Sequence, residues 1–135
     1  MNQKTYTSVS EVMTPSPRVI DGLATVREAI TIMRENGIGS LVIDRRHEGD
    51  EYGLVVVADI AREVIGKNRT PERTNVYEIM SKPVVTVDAK MAVKYAIRLL
   101  ARFGLSRCLV VESDRLVGIV TLRDLVLRYL EGDGG

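Results

Sequence analysis

A threonine and an aspartate stand three residues apart at the end of an apolar segment, in GIVTLRD from Gly118 to Asp124. This spacing ahead of an apolar run is typical of a helix N-terminal cap, in which the Thr121 hydroxyl accepts hydrogen bonds from first-turn amides. The same arrangement would place the Asp124 carboxylate beside two sugar hydroxyls, and a helix N-terminus attracts phosphate. Capping and ligand binding are compatible, so the motif predicts a helix start that can also serve as a binding edge.

A near copy of this segment, GLVVVAD from Gly53 to Asp59, keeps the acid but has Val56 in place of the threonine. Valine continues a strand and offers no hydroxyl, although the Asp59 carboxylate could still accept from a ribose. If both copies bind a ligand, we expect the one with Thr121 and Asp124 to bind it more tightly.

Other residues with reactive or metal-binding side chains are expected to have structural roles. His47 lies in a polar turn and is expected to be exposed, while Cys108 lies in an apolar segment and is expected in the core. Without further histidines or cysteines, no zinc site is predicted. The GIG of residues 37–39 ends a helix, so it is no dinucleotide fingerprint. Met13 and Met80, at matching positions, are expected to fill apolar space.

Composition excludes several classes of protein. The 135-residue chain carries a net charge of +1, so it has no broad field to attract nucleic acid or anionic lipid. No apolar run approaches the roughly 20 residues of a membrane helix, and the first residues lack a signal-peptide layout. One cysteine excludes an internal disulfide and is typical of a reducing cytosol. We therefore expect a cytoplasmic protein with no membrane partner, and the charge disfavours nucleic acid as a partner.

The chain contains the same pattern twice, and this repeat predicts the fold. Each copy predicts a short strand, an amphipathic helix, two strands around a polar turn, and a final helix. In the first copy the second of these two strands is predicted over residues 54–57, and the final helix over about residues 59–65. Asn36-Gly37 and Phe103-Gly104 are expected to end the two amphipathic helices in the left-handed conformation. The apolar positions at i, i+3, i+4 and i+7 are Val26, Ala29, Ile30 and Met33 in the first copy and Val93, Ala96, Ile97 and Leu100 in the second.

The predicted fold is therefore α/β (α+β), built from two β-α-β-β-α units. Residues 8–66 form the first unit, 67–74 a polar linker, and 75–131 the second unit. A unit of this size is marginally stable alone, so we expect the two to pack around a pseudo-twofold axis into one module.

In these features the sequence resembles a tandem pair of CBS (cystathionine-β-synthase) domains, or Bateman module. The resemblance extends over about residues 8–131 and lies in the paired motifs VMTP and IMSKP, GIGSLVID and GLSRCLVVE, and GLVVVAD and GIVTLRD. It implies clefts between the units that bind adenosine ligands (AMP, ADP, ATP, sometimes S-adenosylmethionine), and pairs that associate into dimers. It also implies regulation of an attached or partner protein.

The resemblance assigns roles to particular residues. Thr121 and Asp124, and Asp59 in the first copy, would hold ribose and the neighbouring phosphate. Ser106 and Arg107, at the entrance to a strand, are also expected to contact the ligand, and Arg107 would reach its phosphate. The alternative for Arg107 is a solvated charge at a strand end.

Three further positions are candidates on the same basis. Arg123 would face the phosphate or point outward, and the outward orientation is favoured. Thr86, in the short strand of the second unit, would touch adenine or ribose. Arg18 is its counterpart in the first unit.

Together these expectations describe a non-enzymatic sensor with no cofactor, regulated by an adenosine nucleotide, with AMP favoured over ADP and ATP. Its expected partners are a second copy of itself and an unidentified regulated protein. Four alternatives remain open: an interaction subunit with empty clefts, an S-adenosylmethionine binder, a small nucleotide hydrolase and a nucleic-acid binder.

Overall fold

The structure is a computed structural model that describes residues 6–82 and 84–132. The predicted order β-α-β-β-α occurs twice, as β2-α1-β3-β4-α2 and β5-α3-β6-β7-α4, so the mixed α/β fold is confirmed. The strands are β1 (Thr14–Pro15), β2 (Val19–Ile20), β3 (Ser40–Ile43), β4 (Gly53–Val56), β5 (Thr86–Asp88), β6 (Arg107–Glu112) and β7 (Arg115–Thr121). The α-helices are α1 (Val26–Asn36), α2 (Val57–Ile60), α3 (Val93–Phe103) and α4 (Leu122–Gly132).

The chain forms two compact units, each with its own sheet. The Asp59 unit comprises residues 18–84 and contains the sheet β2-β3-β4; the Asp124 unit comprises residues 1–17 and 85–135 and contains the sheet β1-β7-β6-β5. In both sheets the short strand runs parallel to the central strand, and the last strand runs antiparallel to it. The start of each central strand therefore lies beside the end of the last strand.

The compact units exchange segments relative to the two sequence copies. The 3-10 turn Val9–Glu11 precedes the first copy's strands, yet the adjoining Val12 is fully buried in the core of the Asp124 unit. The matching turn Val76–Glu78 opens the second copy, yet Ile79 packs in the core of the Asp59 unit. Each sheet is thus covered by a turn that is adjacent in sequence to the other copy.

Part of the segment predicted as a linker packs on the Asp59 unit. Pro71–Arg73 forms a 3-10 turn, and Thr74 is 2% exposed. The Thr74 carbonyl accepts a hydrogen bond of 2.8 Å from the amide of Val26, the first residue of α1. The segment therefore supports the start of a helix while it connects the two sequence copies.

The two amphipathic helices end where the sequence predicts. Gly37 has φ 61° after α1, and Gly104 has φ 64° after α3, the left-handed conformation that favours glycine. At the start of α1, Thr25 Oγ1 accepts from the Glu28 amide at 3.1 Å, and Glu28 Oε2 accepts from the Thr25 amide at 3.2 Å. This reciprocal pair is a capping box.

The last helix of the first copy differs from expectation. Val57, predicted as a strand residue, begins α2, and residues Ala61–Ile65 form a π-helical turn instead of continuing the α-helix. The Gly66 amide accordingly donates to the Ala61 carbonyl, five residues back, at 2.7 Å. Apolar periodicity alone does not distinguish these two hydrogen-bonding patterns.

Two methionines pack on two glycines at matching places. A Cβ on Gly53 would lie 2.6 Å from Met80 Sδ, and a Cβ on Gly118 would collide with Met13 Sδ. Both methionines pack against the core of their unit, as predicted. Among the described residues, no helix is long and apolar enough to cross a membrane.

Candidate functional site

The predicted cap at the end of β7 is present. Thr121 Oγ1 accepts a hydrogen bond of 3.1 Å from the amide of Asp124 in the first turn of α4. The amide of Leu122 donates to the Ser106 carbonyl at 2.8 Å. Because these two first-turn amides already have acceptors, a phosphate here would depend on a side-chain cation more than on the helix N-terminus.

The Asp124 carboxylate retains room to accept hydrogen bonds. Its Oδ1 lies 3.8 Å from Arg128 Nε, and its side chain is 26% exposed. Arg128 also donates from Nη1 to the Val12 carbonyl at 3.2 Å, which holds the guanidinium on the surface of the unit. A carboxylate has about four acceptor positions, so this long ion pair leaves Asp124 able to receive hydroxyl donors.

The sheet brings two more predicted residues, Arg107 and Thr86, to the same end as this cap. Arg107 pairs with Thr121 across β6 and β7, and Thr86, at the start of β5, pairs with Leu109 two residues along β6. Since directly paired residues share a face and side chains alternate, Thr86, Arg107 and Thr121 lie on one face of the sheet. A hydroxyl, a guanidinium and a capped helix start therefore share one end of the Asp124 unit.

Two other candidates lie at its border. Ser106 is exposed and contributes its carbonyl to the Leu122 amide. Arg123 is exposed in the first turn of α4. Their roles toward a ligand stay predictions.

The matching aspartate in the other unit is bound differently. Asp59 Oδ2 accepts from the Val56 amide at 3.0 Å, and Oδ1 accepts from Arg62 Nη2 at 2.9 Å. The residue is only 8% exposed. Both oxygens therefore have donors from the chain, and a ribose hydroxyl would have to compete with Arg62 for this carboxylate.

Sequence reasoning missed Arg62, although the signal was available. An acid followed by an arginine three residues later on a helix forms a neighbouring pair. Arg18, the remaining candidate, lies just before β2 in the Asp59 unit, is exposed, and accepts a hydrogen bond of 2.9 Å from the Val42 amide through its carbonyl. Its side-chain role is still a prediction.

The reactive side chains of Cys108 and His47 have structural roles. Cys108 is fully buried in β6, and burial raises the pKa of its thiol to about 12, so the thiol stays protonated at neutral pH. His47 is exposed in the turn, where its Nδ1 accepts from the Gly49 amide at 3.1 Å. Within the described part of the chain, no group of three histidine, cysteine or acidic side chains could hold a metal ion.

Comparison of the sequence with known families gives one match over most of the chain. The sequence profile of the CBS domain matches residues 9–66 and again residues 76–131. An uncharacterized protein of Methanopyrus kandleri is 36% identical over 118 residues. The matched region is 86% of this chain but 57% of that protein, so the chain spans little more than half the length of this relative.

Solved structures show the same fold. The hexameric CBS-CP12 protein from bloom-forming cyanobacteria has a TM-score of 0.88 and 34% identity, with 94% of this chain and 70% of that chain covered. A CBS domain pair solved in complex with 5′-methylthioadenosine and S-adenosyl-L-methionine has a TM-score of 0.75 and 25% identity, with 90% and 94% covered. That second protein binds adenosine-containing ligands.

Proposed function

The chain belongs to the CBS-domain family, and we propose on that basis that it is a regulatory module without catalytic activity that binds an adenosine nucleotide, with AMP preferred. The observation that carries the proposal is the open Asp124 carboxylate in the first turn of α4, at the end of the sheet that also carries Thr121, Arg107 and Thr86. In the proposed complex Asp124 accepts from the ribose hydroxyls and Arg107 binds the phosphate. Thr86 contacts the adenine or the ribose.

We assign the tighter site to the Asp124 unit. In the Asp59 unit, Val56 offers no hydroxyl and Arg62 already occupies one oxygen of the carboxylate. A ligand there must break the ion pair between Asp59 and Arg62. The Asp59 side chain in this pair is only 12% exposed to water. A ligand at Asp124 displaces no short ion pair.

The first test compares the two aspartates. Asp124→Ala is expected to weaken AMP binding at least tenfold, because a hydrogen bond to a charged group contributes about 1.5–3 kcal/mol and about 1.4 kcal/mol corresponds to a tenfold change. Asp59→Ala is the matched control and is expected to have a smaller effect. Isothermal titration of AMP into both variants and the unaltered chain measures the difference. Equal losses, or no loss in Asp124→Ala, would remove the ribose assignment.

The identity of the ligand is tested separately. Thermal-shift measurements with AMP, ADP, ATP and S-adenosylmethionine rank the four, because a ligand at 100 times its Kd adds about 2.7 kcal/mol to the stability of the folded state. The adenosine ligands in the related CBS pair make S-adenosylmethionine the second candidate. A larger shift with S-adenosylmethionine than with AMP would replace AMP as the preferred ligand.

Regulation requires that the ligand distinguish two states of the chain. A ligand shifts a conformational equilibrium only by the difference in its affinity for the two states. The proposed output is a changed surface for a regulated protein whose identity is open. Incubation with ATP is expected to release no phosphate above a protein-free blank, whereas sustained release would favour the hydrolase alternative.

A further inference from the structure

A cavity lies in the Asp59 unit, which does not contain the candidate site. It has a volume of about 620 Å³ and opens at the carboxyl ends of the parallel strands β2 and β3. Val56 lies at the opposite end of this sheet, because β4 runs antiparallel to β3 and begins beside Ile43. The volume is within the range of small-molecule sites.

The cavity has an apolar and aromatic floor. Ile43 is buried, Met80 is partly buried, and the Tyr77 ring is about half exposed. Gly22 leaves a gap between Ile43 and Tyr77, which a Cβ at this position would fill at an ordinary contact distance of 3.5 Å from Ile43 Cγ2 and Tyr77 Cβ. A ring system could therefore lie on Tyr77 with one face shielded from water.

Two cations converge at one side of the cavity on a carboxylate of the chain itself. Asp50 Oδ2 accepts from Lys82 Nζ at 2.8 Å, from Arg46 Nε at 3.1 Å and from the Arg46 amide at 2.9 Å. The Lys82 side chain is 21% exposed and that of Asp50 9%. These donors hold the pKa of Asp50 well below its ordinary value, so the carboxylate remains charged. The position of Asp50 shows that Lys82 and Arg46 together bind a carboxylate.

The charges of the lining favour an anion with a single charge. Asp21 and Asp44 also line the cavity, and each accepts a backbone hydrogen bond through Oδ1, of 2.7 and 2.8 Å. Arg45, Arg46 and Lys82 supply the lining's three cations, and Asp50 on Lys82 and Arg46 brings the acids to three, so the charges balance with a single carboxylate on this pair. A phosphate dianion would therefore meet a less favourable field than a monoanion.

The Asp124 unit lacks these features at the matching positions. The Tyr77 amide donates to the Gly22 carbonyl at 3.1 Å, and the Ser10 amide donates in the same way to the Ala89 carbonyl at 3.0 Å. Ser10 thus replaces the ring and Ala89 the glycine. Two residues beyond the matching methionine, proline stands where the Asp59 unit has lysine. The shared fold does not require the ring, the glycine or the ammonium group.

We propose that this cavity binds a small aromatic monoanion, a ring system bearing one carboxylate or sulfonate. The ring lies on Tyr77 and Met80, and the anionic group replaces the carboxylate of Asp50 on Lys82 and Arg46. Asp50 is then an internal competitor for the ligand. No step of this proposal depends on the adenosine site in the other unit.

The test uses the fluorescence of 8-anilinonaphthalene-1-sulfonate titrated with the full chain. Lys82→Met is expected to weaken binding at least fivefold, whereas Lys82→Arg, which keeps the charge, retains it. Asp50→Asn is expected to tighten binding at least threefold, because the competing charge is removed. Lys67→Met is the control, since Lys67 forms a similar 2.8 Å ion pair with Glu63 outside the cavity lining and its loss should change nothing. Circular dichroism confirms that each variant is folded.

The location and the class of ligand are tested with smaller probes. Benzoate is expected to displace the dye and to shift the amide resonances of Gly22 and Tyr77, while inorganic phosphate and AMP do neither. Equal affinity in Lys82→Met and the unaltered chain, or weaker binding in folded Asp50→Asn, would overturn the proposal. Displacement by AMP with the same resonance shifts would make the cavity a nucleotide site and would also overturn it.

Discussion

At the scale of single residues, Thr121 and Val56 occupy matching positions in the two copies. Exchanging the two residue types therefore tests what the hydroxyl contributes. Thr121→Val is expected to lower the free energy of unfolding by about 1 kcal/mol, because the hydrogen bond from the Asp124 amide is lost. It is also expected to weaken AMP binding. The reciprocal Val56→Thr should leave AMP affinity unchanged while Arg62 holds Asp59. Denaturant unfolding and isothermal titration measure the two effects.

The outcome separates a cap from a binding residue. Lower stability with unchanged AMP affinity in Thr121→Val would leave Thr121 as a cap alone. A gain of AMP affinity in Val56→Thr would show that the missing hydroxyl, and not Arg62, limits the Asp59 unit.

The candidate site is foreseeable from the sequence only in part. Thr121 and Asp124 are found by their spacing, and the register of β6 and β7 then explains why Arg107 lies beside them. Arg62, which competes with a ligand for Asp59, and the Lys82–Asp50 pair do not belong to the motifs that the two copies share. Comparison of the copies therefore does not identify them. Lys82 and Asp50 are 32 residues apart, and only the folded chain brings them together.

At the scale of elements, the packing of methionine on glycine holds a turn against each sheet. Gly118→Ala is expected to lower the free energy of unfolding by about 1–3 kcal/mol through overpacking. Its Cβ would meet Met13 and would also lie 3.0 Å from the Thr14 carbonyl, which is backbone and cannot rotate away. In Gly53→Ala the closest contact is to the flexible end of Met80, and the nearest fixed atom, Ile43 Cβ, lies farther away at 3.3 Å, so a smaller loss is expected. Denaturant midpoints of both variants provide the comparison; a larger loss in Gly53→Ala would contradict it.

The positions of most helices and strands are predictable from the sequence, because the patterns that indicate them involve residues close together in the chain. The ends of α1 and α3 are set by Gly37 and Gly104, which adopt positive φ. The π turn after α2 and the helical start at Val57 were not foreseen. Both lie where valine and isoleucine satisfy strand and helix patterns equally well.

At the scale of the molecule, the exchanged turns determine which fragments can fold. A fragment of residues 18–84 contains the turn Val76–Glu78 that covers the sheet of the Asp59 unit, whereas 18–68 lacks it. Loss of buried Val76 and Ile79 removes about 3–6 kcal/mol of hydrophobic stabilisation, at about 1.5–3 kcal/mol for each side chain. We expect a cooperative thermal transition in 18–84 and none in 18–68, measured by circular dichroism. Equal transitions would show that the turn is dispensable.

Self-association is the second expectation at this scale. The contacting helices α3 and α4 of the Asp124 unit expose large apolar side chains, and a second copy of the chain is the partner we propose for them. The exposed residues are Tyr95, Phe103, Val126, Leu127 and Tyr129.

Light scattering after size exclusion should give a mass of at least twice 15.0 kDa. Val126→Glu with Leu127→Glu is expected to reduce it to that of the monomer. The exposed control Arg123→Glu should leave it unchanged. A monomeric native chain would contradict the proposed dimer.

The exchange of turns also sets an order of events during synthesis. The residues around Val9 are translated well before the strands they cover, β6 and β7. At about 5–20 residues per second, this interval lasts several seconds at least. During this interval the apolar turn has no surface to pack against, because β6 and β7 have not yet been translated. The nascent chain therefore exposes Val9 and Val12 until β6 and β7 have been made, and a chaperone that binds apolar segments would encounter this turn before the protein can bury it.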